Sequence, residues 1–72
     1  MDGLSECRFF IRKRMKDKSE TYTYMERNRA FAEAHDIFVL AKQQDGNALM
    51  LKNVAWGVEI DGKRTILESF DI

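Results

Sequence analysis

Proline is absent from the sequence, and cysteine, histidine and tryptophan occur once each, as Cys7, His35 and Trp56. A single thiol excludes a disulfide within one chain and fits a reducing compartment. One Cys and one His fall short of the four side-chain ligands of a structural zinc site. The glycines Gly3, Gly46, Gly57 and Gly62 stand alone, so there is no Gly-rich phosphate loop. No apolar run approaches the roughly 20 residues that cross a bilayer as a helix. No secretory signal is visible, because the first apolar cluster is the short Phe9-Phe10-Ile11 and basic residues follow it. A cytoplasmic location without membrane attachment is the expectation. The carboxylates are scattered singly, and His35 has no nucleophile or carboxylate placed beside it by a motif. The sequence therefore predicts no catalytic residue, no metal site and no cofactor.

A chain of 72 residues makes one domain, spanning 1–72, with a loose, non-periodic terminus at 1–6. At this size only about 60% of the unfolded surface is buried on folding. With disulfide and metal set aside, the routes left to stability are a compact core, an oligomer, or both. Self-association at micromolar concentration is the expectation.

What is present alternates and then turns helical. Cys7–Met15 reads as a strand, with Phe9, Ile11 and Met15 on one face and Arg8, Phe10, Arg12 and Arg14 on the other. Lys16-Asp17-Lys18-Ser19 is a polar turn, and 20–25 is rich in strand formers with Tyr22 and Tyr24 on one face. The two runs predict a hairpin, with Lys13 beside Tyr22. Helix formers dominate from Arg27 onward. Ala30, Phe31, Ala34, Ile37, Phe38 and Ala41 share an apolar arc of roughly 120°. The arc favours one long helix to about Gln44, ended by Gly46, over an early stop at Asp36 followed by a strand at 37–40.

The last third predicts strands at 47–53, 54–60 and after the Asp61-Gly62 pair, which supplies the positive φ angles of a tight hairpin turn. That turn places Glu59 opposite Arg64, Val58 opposite Thr65 and Trp56 opposite Leu67. Trp56 alternates with Val54, Val58 and Ile60 and is the expected core anchor. Gly57 marks a bulge or a close backbone approach. The predicted fold is α+β: a small antiparallel sheet in ββαβββ order with one helix packed on one face.

Net charge is zero but unevenly spread. Residues 8–29 carry eight bases and three acids, whereas 30–72 carry four bases and seven acids. Two uses of the basic hairpin follow. As a protein contact it offers Phe10, Arg12, Arg14, Lys16, Lys18 and Met25, a mixture enriched at interface centres, with Leu40 and Ile66 also facing away from the core. As a nucleic-acid contact it offers Arg8, Arg12, Lys13 and Arg14 for phosphates, with Tyr22 and Tyr24 to stack bases. Zero net charge weighs against the second. The first expectation is a non-enzymatic protein-interaction module, regulatory or inhibitory by occlusion of a surface. Small phage and mobile-element proteins offer an analogy of size alone. The Asp-Gly turns and strand-rich ending are too generic to point to a family.

Overall fold

A computed structural model describes residues 7–27, 29–45 and 50–72. The expected loose terminus at 1–6, the helix stop at Gly46 and the strand start at 47–49 lie outside the described residues. The elements are β1 (Cys7–Met15), β2 (Glu20–Tyr24), α1 (Phe31–Asp45), β3 (Leu51–Ile60) and β4 (Lys63–Asp71). The four strands form one antiparallel sheet in the order β2-β1-β3-β4, and α1 lies against one face of it. This is the α+β arrangement that the residue pattern predicts. The strand count differs. Described residues 51–53 continue directly into 54–60 as one strand, because Leu51–Ile60 pairs with β1 at every residue but Lys52.

The first hairpin closes more tightly than the four-residue turn implies. Met15 N–H donates to Ser19 O at 2.8 Å and Lys18 N–H donates to Met15 O at 2.9 Å. Lys16, Asp17 and Lys18 are therefore a three-residue loop, with Lys18 in the left-handed region at φ 75°. The shorter loop moves the register by one residue and exchanges faces. Tyr22 pairs with Arg12, and Lys13 pairs with Thr21, so Tyr22 and Tyr24 share a face with Arg12 rather than with Lys13.

Two irregularities set the faces of β3. Arg14 pairs with Asn53 but Met15 pairs with Leu51, so Lys52 is the extra residue and Leu51 turns into the core. On the other side Gly57 pairs with Ile66 but Trp56 pairs with Glu68, not Leu67. Leu67 is the extra residue of a β-bulge, which aims Leu67 and Glu68 to the same side. The Asp61-Gly62 turn is as expected, with positive φ at both positions, and Glu59–Arg64 and Val58–Thr65 are paired.

The main core lies between α1 and the centre of the sheet. It holds Ile11, Met25, Ala34, Phe38, Leu51, Val54 and Trp56, with Phe9, Met15, Ile37 and Ala41 packed against it. Trp56 is its hub, with ring centroids of Phe31, His35, Phe9 and Phe38 at 5.2, 5.5, 5.6 and 6.0 Å. The helix runs long, as its arc predicts, but begins at Phe31 rather than Arg27. Glu33 fixes that start by accepting from Ala30 N–H at 3.3 Å, half of a capping box. No residue of β4 belongs to the core cluster, and every β4 residue is exposed. No helix among the described residues is long and apolar enough to cross a membrane.

Candidate functional site: a closed basic face and an open apolar edge

The face of the sheet away from α1 carries Phe10, Arg12 and Arg14 from β1, Tyr22 and Tyr24 from β2, Asn53, Gly57 and Glu59 from β3, and Arg64 from β4. No helix among the described residues covers it, yet Phe10 is 0% exposed. Its ring lies over Gly57, where a Cβ would sit 2.9 Å from Phe10 Cζ. Tyr22 and Tyr24 flank it at 5.6 and 5.7 Å between centroids. The tyrosines are capped in turn. Arg64 stands 4.2 Å above the Tyr22 ring and Arg8 stands 5.8 Å above that of Tyr24.

Most polar groups of this face pair with one another, although Arg12 Nε is buried without a hydrogen-bond partner among the described residues. Tyr24 O–H donates to Glu59 Oε1 at 2.7 Å and accepts from Arg64 Nε at 2.9 Å. Hydrogen bonding to Tyr24 is the main reason that the Arg64 guanidinium is held above its ordinary pKa. Arg14 makes an ion pair with Glu20 at 2.8 Å. Arg8 Nε donates to Met25 O at 2.9 Å. Arg12 Nη2 donates to Asn53 Oδ1 at 2.9 Å, and the Asn53 amide donates to Ser69 Oγ at 2.8 Å and Asp71 Oδ1 at 2.7 Å. Asn53, only 4% exposed, thus ties β1 to β4.

These placements revise the candidates read from the sequence. Phe10 and Met25 do not lie together on the outer face: Phe10 is sealed beneath the tyrosines, and Met25 belongs to the main core. Arg8, Arg12 and Arg14 are engaged within the chain. Leu40 and Ile66 are exposed, as expected. Lys16 and Lys18 do crown the hairpin. With Arg14, Met15 and Lys52 they line an open recess of about 610 Å³ at that end of the sheet. Lys52 was not among the sequence candidates. Its place beside the loop follows from the irregularity in β3 and from the bond of Lys16 N–H to Met50 O at 2.8 Å.

The apolar surface is elsewhere. Leu67 and Phe70 on β4 are 43% and 44% exposed, and Phe31 at the start of α1 is 60% exposed. Because α1 sits over β1 and β3, an open cleft of about 560 Å³ runs between it and β4, lined by Phe31, His35, Trp56, Leu67 and Glu68 among others. His35 Nε2 lies 3.5 Å from Glu68 Oε1 across it, and farther along the helix Lys42 Nζ lies 4.9 and 5.1 Å from the ring centroids of Phe38 and Phe70. The buried indole N–H of Trp56 has no hydrogen-bond partner among the described residues. Among the described residues, the outer edge of β4 has no neighbouring strand in the sheet. Comparison of the chain with models of known families, with curated proteins and with solved structures gives no match.

Proposed function

We propose that this chain is a non-enzymatic protein-interaction module that acts by covering a partner's surface, in a regulatory or inhibitory role. Its contact surface is the outer edge of β4 with the apolar side chains beside it. The observation that carries this reading is the separation of the two kinds of surface. The cationic side chains of the β1 face engage partners within the fold, while Phe31 and Leu67 stand exposed around one cleft and Phe70 stands exposed farther along β4. Contiguous exposed apolar groups mark interaction sites, and an unpaired strand edge accepts another chain through its backbone. The test is a photo-crosslinking residue placed at Leu67, and separately at Lys16, in the cells that make the protein. The reading expects a protein adduct from Leu67 that is lost with Phe70→Glu, and none from Lys16. An adduct from Lys16 alone would overturn it.

A second reading, nucleic-acid binding, draws on one observation. Lys16, Lys18 and Lys52 gather with Arg14 around one recess, a group of cations suited to phosphate. The aromatic part of that reading is weakened, since Phe10 is buried and Arg64 already occupies the Tyr22 face.

A further inference from the structure

The backbone groups along the outer edge of β4 follow a symmetric pattern. In an antiparallel ladder the backbone groups of successive residues turn alternately toward the neighbouring strand and away from it. Ile72 N–H donates to Lys52 O at 2.9 Å, and the register there pairs Asp71 with Asn53, Phe70 with Val54 and Ser69 with Ala55. Phe70 therefore turns inward, and Ser69 and Asp71 turn outward. At the other end Ile60 and Lys63 close the two-residue turn and exchange hydrogen bonds. Thr65 then turns inward, and Arg64 and Ile66 turn outward. Between the two ends the bulge inserts Leu67, so Leu67 and Glu68 both turn inward.

The outward positions are thus 64, 66, 69 and 71. They are symmetric about the bond between Leu67 and Glu68. A second β4, turned by a two-fold axis at that point and run antiparallel, meets Ile66 with Ser69 and Arg64 with Asp71 at every outward position. The strand starts basic, at Lys63-Arg64, and ends acidic, at Asp71. The same two-fold therefore sets Arg64 of each copy opposite Asp71 of the other, on the face away from α1. On the α1 face, Phe70 of one copy lies opposite Thr65 of the other in a closely spaced pair, and the two Leu67 side chains meet near the axis. Charges and bulges on an edge strand usually block pairing. Here the bulge is what makes the edge symmetric, and the charges attract in the antiparallel register.

We propose that β4 is a homodimer interface, in which two copies join their sheets through antiparallel β4 pairing centred between Leu67 and Glu68. The inference rests on the reading of β4 as the contact surface and names the occupant as a second copy of this chain. Pairing like edges about a two-fold closes the assembly, whereas pairing β4 to the other edge, β2, would propagate.

The experiment is sedimentation equilibrium of the whole chain from low to high micromolar concentration, with amide hydrogen exchange on the same samples. A mass that levels off at twice the monomer is expected. The amides of Arg64, Ile66, Ser69 and Asp71 should become slower to exchange with concentration, while the outward amides of β2 at Tyr22 and Tyr24 do not change. Arg64→Asp and Asp71→Arg should each abolish the dimer, by placing like charges opposite one another twice. Mixed in equal amounts, the two variants should recover it, because their charges are again complementary. Both residues also bond within the monomer, so circular dichroism of each variant must show the folded spectrum. Should either unfold, the exchange pattern of the unaltered chain decides the matter alone. A monomer throughout, a mass growing past two, or protection on β2 instead of β4 would overturn self-pairing. A monomer that still crosslinks to another protein from Leu67 leaves the β4 reading standing, and a monomer with no such adduct overturns both.

Discussion

At Gly57 a missing Cβ lets Phe10 lie over β3 and the β4 backbone approach it. A Cβ there would stand 2.2 Å from Thr65 O and 2.9 Å from Phe10 Cζ. The first contact is with backbone held by the β3–β4 ladder, so it cannot yield without loss of the bulge. Gly57→Ala should therefore destabilise by about 1–3 kcal/mol, the usual range for overpacking. Urea unfolding measures it, and unchanged stability would show that the ladder at Thr65 is slack. Asp17 gives a pH effect of known sign. Its carboxylate accepts from Ser19 Oγ at 2.6 Å and Ser19 N–H at 2.9 Å, which hold its pKa below the ordinary 3.8. The folded state then favours the charged form. Its contribution is present above the unfolded value and is lost as pH falls through the lower, folded one. The melting temperatures of the parent and Asp17→Asn should converge as pH drops below 3.8; a constant gap between them would contradict the assignment.

Among the elements, those with a strong periodic signal form where their residues indicate. The strand at Cys7–Met15, the long helix and the Asp61-Gly62 hairpin all follow from alternation, an apolar arc and turn chemistry. What escaped was register. The first loop closes on Lys18 at positive φ, a conformation normally marked by Gly or Asn, so nothing in Lys16-Asp17-Lys18-Ser19 shows that it is a three-residue loop. That one step decides which face Tyr22 takes. Met25 was misplaced for a related reason: it follows Tyr24 in an alternating run and so turns to the α1 side, where Met25 N–H also bonds Phe9 O at 2.9 Å. The burial of Phe10 needed three partners from two other strands, and Gly57 was the only local sign of it. The β4 bulge has no marker in Ile66-Leu67-Glu68. It arises where Gly57 lets the strands approach. At the helix start, Glu33 reaches back to Ala30 N–H, but Ala30 offers no oxygen in return. Ala30→Ser should complete the capping box and raise stability by roughly 0.5–2 kcal/mol, read from thermal or urea unfolding; no gain would mean that the first turn is not capped in this way.

The whole molecule is a sheet with two unequal covers. On one face aromatic, cationic and acidic side chains close over Phe10, and Asn53 ties β1 to β4. On the other, α1 covers β1 and β3 and leaves β4 bare. A domain this small has little core to spare, so the uncovered strip is where a partner adds most. Arg8, Arg12 and Arg14 thus serve the fold, Lys16 and Lys18 line an open recess, and the proposed contact is β4. The most direct test of that division is titration of the purified chain with single- and double-stranded DNA and RNA at about 50 mM and 200 mM salt, the range over which phosphate contacts lose most of their affinity. Binding that is weak at the lower salt and absent at the higher is the expected result. Sub-micromolar affinity retained at the higher salt, and abolished by reversing the charges of Lys16, Lys18 and Lys52, would contradict the account and place the functional surface at the basic end of the sheet.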